Sequence, residues 1–154
     1  MKKTNAMRIL DSKGINYNVL EYKVDDGQID GISVAKKTHK EFKEVYKTLV
    51  TKGLEEIYVF IIPVEEHLDL KKAAKHAREK RIEFININDI LKTTGYIRGG
   101  CSPVGMKKRF KTFIQKDSLD LKSIIVSGGK IGLQIELDPL DLKKVIDVEF
   151  VDII

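Results

Sequence analysis

Two apolar segments that lie close together in the chain limit its fold more than any other feature. Residues 45–50 (VYKTLV) and 56–62 (EIYVFII) are rich in the β-branched and aromatic side chains that favour strands. The segment Thr51-Lys52-Gly53 lies between them, so the pair predicts a β-hairpin. Both runs are far shorter than the ~20 apolar residues of a membrane-spanning helix. They therefore indicate a folded core that contains a β-sheet.

Helices and further strands surround this hairpin in the sequence. Helices are predicted where a capping side chain precedes an apolar run: from Thr4 to Gly14, from Ser33 to about Phe42, from Asp69 to about Lys80, and from Asp138 to Ile146. Strands are predicted at 17–24, 82–87, 112–114, 124–127, 131–137 and 148–154, with Gly128-Gly129 as a tight turn. Strands outnumber helices, and the sequence shows no linker or repeat. This pattern predicts an α+β fold in one domain over residues 1–154, with a mixed, curved, barrel-like β-sheet flanked by helices.

The composition argues against several classes of site and location. Cys101 is the only cysteine, so an internal disulfide is impossible and a reducing compartment is expected. His39, His67 and His76 are far apart in the sequence, and neither a metal site nor a cofactor is predicted. The N-terminal residues lack the apolar core of a signal peptide. The sequence therefore predicts a cytoplasmic protein without a membrane partner.

A glycine-rich segment is the most unusual stretch of the chain. Residues 95–105 (GYIRGGCSPVG) hold four glycines and a proline in eleven residues, which excludes a core strand or helix. Glycine lets a ligand approach the backbone, whose N–H groups can then donate to an oxyanion or a phosphate. A plain tight-turn loop is the alternative. Cys101 has no evident histidine partner, so an inert thiol is expected rather than a nucleophile.

Basic residues supply the other candidates. Lys47 lies between Tyr46 and Thr48 in the first strand of the hairpin. Burial of a lysine is costly unless it is paired or faces a pocket, and the alternative is an exposed strand face. The run Lys107-Lys108-Arg109 follows the glycine-rich segment and suits a phosphate backbone, although such runs are often only solvated. The net charge of +5 permits a polyanionic partner without establishing one.

Three of these segments together resemble the YbaK family of aminoacyl-tRNA deacylases, relatives of the editing domain of bacterial prolyl-tRNA synthetases. The matching residues are 45–49 (VYKTL), 95–105, and 127–130 (SGGK) leading into 132–137 (GLQIEL). Glu21-Tyr22 and residues 68–72 also fit, so the resemblance covers nearly the whole chain in the right order. It implies a mixed, barrel-like sheet flanked by helices, in agreement with the prediction from the residues.

The resemblance also implies an activity, which is the removal of cysteine from mischarged Cys-tRNA(Pro) and, less selectively, from Cys-tRNA(Cys). It implies that Lys47 and Gly99 carry the reaction and that the substrate contacts come from Tyr22, Gly100, Ser102, Ser127, Gly128 and Gln134. Some family members have an aspartate where this chain has Gln134, and a glutamine cannot act as a base. In the family, the thiol of the substrate cysteine is thought to attack its own ester, which would explain the absence of a catalytic triad.

Partners and alternatives follow from the same resemblance. The expected partners are aminoacyl-tRNA, above all tRNA(Pro), and prolyl-tRNA synthetase. Lys107, Lys108 and Arg109 are expected to meet phosphates of the acceptor stem. Two alternatives stay open at this point: an Ala-tRNA(Pro) deacylase in which water is the attacking group, and a non-catalytic tRNA-binding module.

Overall fold

A computed structural model describes residues 2–154 of the chain. The α-helices are α1 (Asn5–Ser12), α2 (Gly31–Lys37), α3 (Leu70–Ala77) and α4 (Ile90–Thr94). The strands are β1 (Asn18–Glu21), β2 (Tyr46–Lys52), β3 (Ile57–Pro63), β4 (Glu83–Phe84), β5 (Lys111–Gln115), β6 (Ile124–Lys130), β7 (Leu133–Leu137) and β8 (Asp147–Val151). Short 3-10 helices occupy Ile87–Asp89, Lys116–Asp120 and Pro139–Lys144. No helix in the described range is long and apolar enough to cross a bilayer.

The strands form two sheets rather than one. The larger sheet has the order β4-β2-β3-β5-β8, and the smaller one has the order β1-β7-β6. In the larger sheet β2 pairs antiparallel with β3 and β4, whereas β3–β5 and β5–β8 are parallel. An isolated parallel bridge between Val45 and Ile125 joins the two sheets, and Ile125 N donates to the carbonyl of Glu44 at 2.8 Å.

The α+β fold class and the mixed strand directions are therefore confirmed. The predicted single barrel-like sheet is divided in two, and the sheets do not close into a barrel over the described residues. The predicted hairpin is present as β2 and β3, in which Lys47 lies opposite Ile62. Thr51 and Lys52 extend β2 instead of forming the turn.

The hydrophobic core explains why a site forms between the sheets. The largest cluster packs α1 and the smaller sheet against β2, β3 and β5 of the larger sheet, and a second packs α3 against β3 and β5. A third, small cluster consists of Ala35, Val45, Val64 and Ile125, and it lies where α2 and the two sheets meet. Only these few apolar side chains fill the end of the junction that lies beside α2, so polar residues can line the space next to it.

The predicted starts of α1 and α3 agree with the structure, whereas that of α2 does not, and the short helical turn expected to open at Asn88 is a 3-10 turn capped by Asn86. Thr4 caps α1 and Asp69 caps α3, as predicted. Ser33 is not the cap of α2, because the carboxylate of Asp30 accepts from Ser33 N at 2.9 Å and α2 begins at Gly31. Aspartate and serine are both good N-caps, so the sequence alone did not separate the two positions.

Three predicted segments differ in the structure, one of them because of an irregularity in strand pairing. Gly128-Gly129 is not the turn but lies within β6, where the register with β7 shifts between Ser127 and Lys130. Gly129 has a φ of +96°, as in a β-bulge, and the chain reverses at Ile131 and Gly132, after the end of β6. The predicted strand at 82–87 shrinks to two residues, and the predicted last helix is a 3-10 helix.

Candidate functional site

A cavity of about 200 Å³ opens at the junction of the two sheets. Its walls come from the first half of β2, from the smaller sheet, from the glycine-rich segment 95–105, and from the residues that lead into α2. Five residues that the sequence singled out line it: Tyr22, Lys47, Gly99, Ser127 and Gln134. Residues more than eighty positions apart in the chain are thus brought around one small space.

Lys47 is the cation of this cavity. Its side chain is half-buried, and within residues 2–154 its ammonium makes no ion pair. Burial lowers the pKa of Lys47, and the nearby carboxylate of Glu66 opposes part of that effect. A lysine that is desolvated but unpaired has N–H donors that can bind a ligand.

Two polar atoms in the cavity lack partners. Gln134 is 6% exposed, and neither its Oε1 nor the buried Oγ1 of Thr48 has a hydrogen-bond partner in the described part of the chain. Both residues line the cavity. Leaving a buried polar atom unsatisfied costs about 1–3 kcal/mol, so such atoms are uncommon in folded proteins and call for an explanation.

Glycines let the walls of the cavity approach each other. Gly99 has a φ of +85°, a left-handed conformation that glycine adopts without the strain of a side chain. A Cβ atom on Gly31 would lie 2.5 Å from Cγ1 of Val64, so the start of α2 packs directly on the end of β3. A Cβ on Gly100 would lie 2.9 Å from the backbone nitrogen of Ile131.

Two further ionisable residues that line the cavity, Cys101 and Asp30, are not in a reactive state. Burial raises the pKa of the Cys101 thiol to about 11, so it is protonated at neutral pH. The carboxylate of Asp30 accepts hydrogen bonds from Ser33 N and Ser33 Oγ at 2.9 and 2.7 Å, and these bonds lower its pKa. No group of three or more His, Cys, Asp and Glu residues within 2–154 could hold a metal ion. A group that enters the cavity therefore meets the Lys47 ammonium, neutral polar side chains and a protonated thiol.

Comparisons with known proteins agree with this geometry. Residues 29–145 match the model of the aminoacyl-tRNA editing domain. The chain is 40% identical over 153 residues to an Enterococcus faecalis protein named as a candidate Cys-tRNA(Pro)/Cys-tRNA(Cys) deacylase, EbsC, covering 99% of this chain and 93% of the relative. The chain belongs to the aminoacyl-tRNA editing domain family. The resemblance inferred from the sequence is thus confirmed, and aminoacyl-tRNA is the substrate class of this editing domain.

Solved structures show the same fold for the editing domain. One is a crystal structure of a candidate trans-editing enzyme for prolyl-tRNA synthetase, with a TM-score of 0.86 and 21% identity over 99% of this chain and 98% of the other. Another is a scaffold protein for computationally grafted linear epitopes, with a TM-score of 0.84 and 21% identity over 99% of this chain and 97% of that one. At these identities the likeness concerns the fold alone.

Three predicted substrate residues of the editing domain do not line the cavity. Ser102 is fully buried, and its hydroxyl accepts from Val104 N at 3.2 Å within the glycine-rich segment. Gly128 lies inside β6, and its carbonyl accepts from the hydroxyl of Thr4 at 2.6 Å. Gly100 packs against the backbone next to β6. In the structure these three residues shape the walls and do not face the cavity.

The basic run lies beside a different cleft of the editing domain. Lys107, Lys108 and Arg109 line a cleft of about 170 Å³ that Phe110 also lines. All three basic residues are exposed, and Lys107 Nζ donates to the carbonyl of Lys92 at 3.0 Å. Their assignment to the phosphate backbone of tRNA stays a prediction.

Sequence reasoning missed several lining residues of the editing domain. They are Ile29, Asp30, Gly31, Val34, Val45, Tyr46, Thr48, Val64 and Leu133, while Cys101 was noted only as an inert thiol. Thr48 adjoins Lys47 in a strand, where neighbouring side chains ordinarily point to opposite faces. Both line the cavity here, together with Tyr46, at the start of β2. The position of Thr48 next to Lys47 therefore gave no indication in the sequence that Thr48 lines the cavity.

Proposed function

We propose that this chain is a trans-editing deacylase that removes cysteine from mischarged Cys-tRNA(Pro) and, less selectively, from Cys-tRNA(Cys). The observation that carries the proposal is the Lys47 ammonium, which makes no ion pair among residues 2–154, in a cavity of about 200 Å³ in a chain of the aminoacyl-tRNA editing family. The name of the Enterococcus faecalis relative supports cysteine as the amino acid.

Lys47 and Gly99 form the proposed centre of the reaction. An aminoacyl ester is already activated, so the enzyme has to position it and stabilise the charge that develops on the carbonyl oxygen. The ammonium of Lys47 has three N–H donors for that oxygen or for the terminal ribose. The backbone of Gly99, held open by its positive φ, is the second element that orients the ester. One well-placed donor of this kind lowers a barrier by about 3–4 kcal/mol.

The attacking group in this proposal belongs to the substrate. The thiol sulfur of the bound cysteine forms a bond to its own ester carbonyl carbon, and the bond from that carbon to the ribose oxygen breaks. The thiol proton ends on the ribose oxygen, so the products are a cyclic thioester of cysteine and free tRNA. This route needs no nucleophile from the protein. The protonated state of Cys101 is compatible with it.

Recognition of the tRNA extends beyond the cavity. We assign the acceptor-stem phosphates to Lys107, Lys108 and Arg109, which are exposed and follow the glycine-rich segment. The cavity holds only a small group, so we further propose that prolyl-tRNA synthetase supplies selectivity for tRNA(Pro). Aminoacyl-tRNA is used in the cytoplasm, which is where this proposal places the chain.

The test is deacylation of a panel of charged tRNAs. Cys-tRNA(Pro), Ala-tRNA(Pro) and Pro-tRNA(Pro) are incubated with the purified chain and with Lys47→Ala as a control. We expect release of cysteine, near-complete retention of proline, and loss of release in Lys47→Ala. Faster release of alanine than of cysteine would replace the proposal by a water-dependent alanine deacylase. Tight tRNA binding without release of any amino acid would leave a non-catalytic binding module.

A further inference from the structure

We propose that Gln134 and Thr48 bind the α-amino group of the aminoacyl moiety and so select amino-acid esters over acyl groups that lack an amine. This inference deepens the proposed function and rests on it. The two residues come from different sheets, with Thr48 on β2 and Gln134 on β7, and both line the cavity.

The first argument is the unsatisfied state of both atoms. Oε1 of Gln134 and Oγ1 of Thr48 are buried without a hydrogen-bond partner in the described residues. A fold usually avoids such atoms, because each loses its hydrogen bonds to water and gains nothing in return. Both residues line one small cavity, so a ligand with two donors that binds there could satisfy both oxygens. The two oxygens destabilise the empty fold, and hydrogen bonds from such a ligand would offset that cost and favour ligands that have the two donors.

The second argument is the layout of an amino-acid ester. Its carbonyl carbon and its amino nitrogen are attached to the same α-carbon, so the two groups are separated by a single atom. When Lys47 donates to the carbonyl oxygen, the amine must lie within the same cavity of about 200 Å³. The groups of the substrate that can donate there are the amine, the thiol and the ribose hydroxyl. Of these, the amine alone offers two N–H groups from one atom.

The third argument is the charge of the cavity. Asp30 is the carboxylate among its lining residues, and both of its oxygens accept bonds from Ser33. The free acceptors, Gln134 and Thr48, are neutral, and Lys47 is a cation. A like charge nearby disfavours a protonated amine. A neutral amine keeps two N–H donors, which matches the two unsatisfied acceptors in number.

The experiment compares two tRNA(Pro) esters that differ only in the amine. Cysteinyl-tRNA(Pro) and 3-mercaptopropionyl-tRNA(Pro) both carry the thiol, but the second lacks the amino group. Both are tested with the wild-type chain and with Gln134→Met and Thr48→Val, which keep the size of each side chain and remove its polar group. We expect a loss in kcat/KM of roughly tenfold for each hydrogen bond removed, in line with one bond worth about 1.4 kcal/mol.

The two-substrate design separates binding of the amine from general reactivity. The amine also makes an ester intrinsically more reactive, but this effect is the same for every enzyme variant. We therefore expect each variant to lose about tenfold on the cysteinyl ester and nearly nothing on the mercaptopropionyl ester. An equal loss on both esters, or none on either, overturns the inference. Gln134→Glu keeps the accepting oxygen and should retain more activity on the cysteinyl ester than Gln134→Met.

Thr51 provides a matched control on the same strand. It is fully buried, its hydroxyl donates to the carbonyl of Tyr58 at 2.8 Å, and it does not line the cavity. Thr51→Val should lower the melting temperature and leave the ratio of the two esters unchanged. Thr48→Val should keep or raise the melting temperature, because it removes an unsatisfied hydroxyl, and yet change that ratio. A lower melting temperature for Thr48→Val with an unchanged ratio would assign Thr48 a purely structural role and overturn its part in the inference.

Failure of the proposed function gives a different result. If the wild-type chain releases alanine instead of cysteine, the same comparison is made with alanyl and propionyl esters, and the inference about the amine stands or falls on that pair. If the wild-type chain releases no amino acid from any ester, both the proposed function and the inference are overturned. If it releases cysteine but treats both thiol esters alike in every variant, only the inference is overturned.

Discussion

A Cβ atom on Gly99 would lie 2.9 Å from Cδ1 of Ile29, so the glycine-rich segment and the approach to α2 meet where a larger residue would displace the end of the Ile29 side chain. Gly99→Ala adds this contact to the cost of a positive φ, which is about 1–2 kcal/mol for alanine. We expect a lower free energy of unfolding and a loss of deacylation. Urea unfolding and single-turnover assays measure the two effects.

Gly14 is the matched control for that substitution. Its φ is +68°, but a Cβ there would have no neighbour within 4 Å. Gly14 does not line the cavity. Gly14→Ala should therefore show the stability cost of the backbone conformation and keep full activity. If Gly99→Ala were as active as Gly14→Ala, the Gly99 backbone would have no part in positioning the ester.

Lys47 should be essential for deacylation. We expect Lys47→Ala and Lys47→Arg to lower kcat/KM by at least roughly a hundredfold, or ~2.7 kcal/mol. Arginine should fail because its planar fork does not replace a compact ammonium. Burial lowers the pKa of Lys47, so the charged form of its side chain reduces the free energy of unfolding. Lys47→Met should thus leave the melting temperature unchanged or higher.

Lys52 serves as the control for Lys47 because it lies on the same strand and is exposed. Lys52→Met should retain both activity and melting temperature. A well-folded Lys47→Ala chain that releases cysteine at the wild-type rate would remove the centre of the proposed reaction.

Cys101 should be dispensable even though it lines the cavity. Burial raises the pKa of its thiol to about 11, so only a minute fraction is thiolate at neutral pH. Cys101→Ser should keep most of the deacylation rate, and iodoacetamide should label the native chain slowly. Cys101→Ala tests packing alone. A loss above about a hundredfold in both variants would make the thiol a nucleophile.

The basic run should contribute to affinity and not to chemistry. Lys108 and Arg109 are exposed beside a cleft that does not include Lys47. The double substitution to alanine should weaken binding of tRNA and flatten its dependence on salt by up to about two phosphate contacts. Filter binding at several salt concentrations measures this, with exposed Lys75→Ala on α3 as the control. If the dependence of tRNA affinity on salt were unchanged, Lys108 and Arg109 would not contact the tRNA phosphates.

Asp152 should make the stability of the chain depend on acid pH. Hydrogen bonds from Lys72 at 2.9 Å and from Gln115 at 3.1 Å lower the pKa of Asp152 from 3.8 to about 2. Because the folded pKa lies below the unfolded one, this stabilisation is complete above about pH 4 and disappears as the pH falls towards 2. Asp152→Asn should reduce the free energy of unfolding at pH 7 and match the wild type near pH 2.

Urea unfolding at the two pH values checks that prediction. Exposed Asp120→Asn is the control and should behave like the wild type at both. A constant difference between Asp152→Asn and the wild type from pH 7 to pH 2 would show that the carboxylate charge is not what stabilises the C-terminal segment.

Local signals explain most of what the sequence predicted about the fold. The hairpin of β2 and β3 follows from two adjacent β-branched runs, and α1 and α3 follow from Thr4 and Asp69 as caps. Gly128-Gly129 was predicted wrongly because a glycine pair is compatible with a turn or with a bulge. Pairing with β7, which only the folded chain determines, decides between them.

The candidate site was predictable only in part for a similar reason. Lys47 and Gly99 stand out in the sequence as a cation in an apolar run and a glycine in a glycine-rich segment. Thr48 and Asp30 do not stand out, because what distinguishes them is which neighbours they lack or hold in space. Whether a buried oxygen has a partner depends on distant strands, and no local pattern reports it.

The bridge between Val45 and Ile125 has a mechanical consequence for the cavity. Among the described residues, this isolated bridge links the backbones of the two sheets. The cavity lies beside it and is lined by residues of both sheets. A ligand held by Lys47 on one sheet and Gln134 on the other would act as a second link. An occupied cavity would then add to the resistance to shear that the shared apolar core of the two sheets already provides.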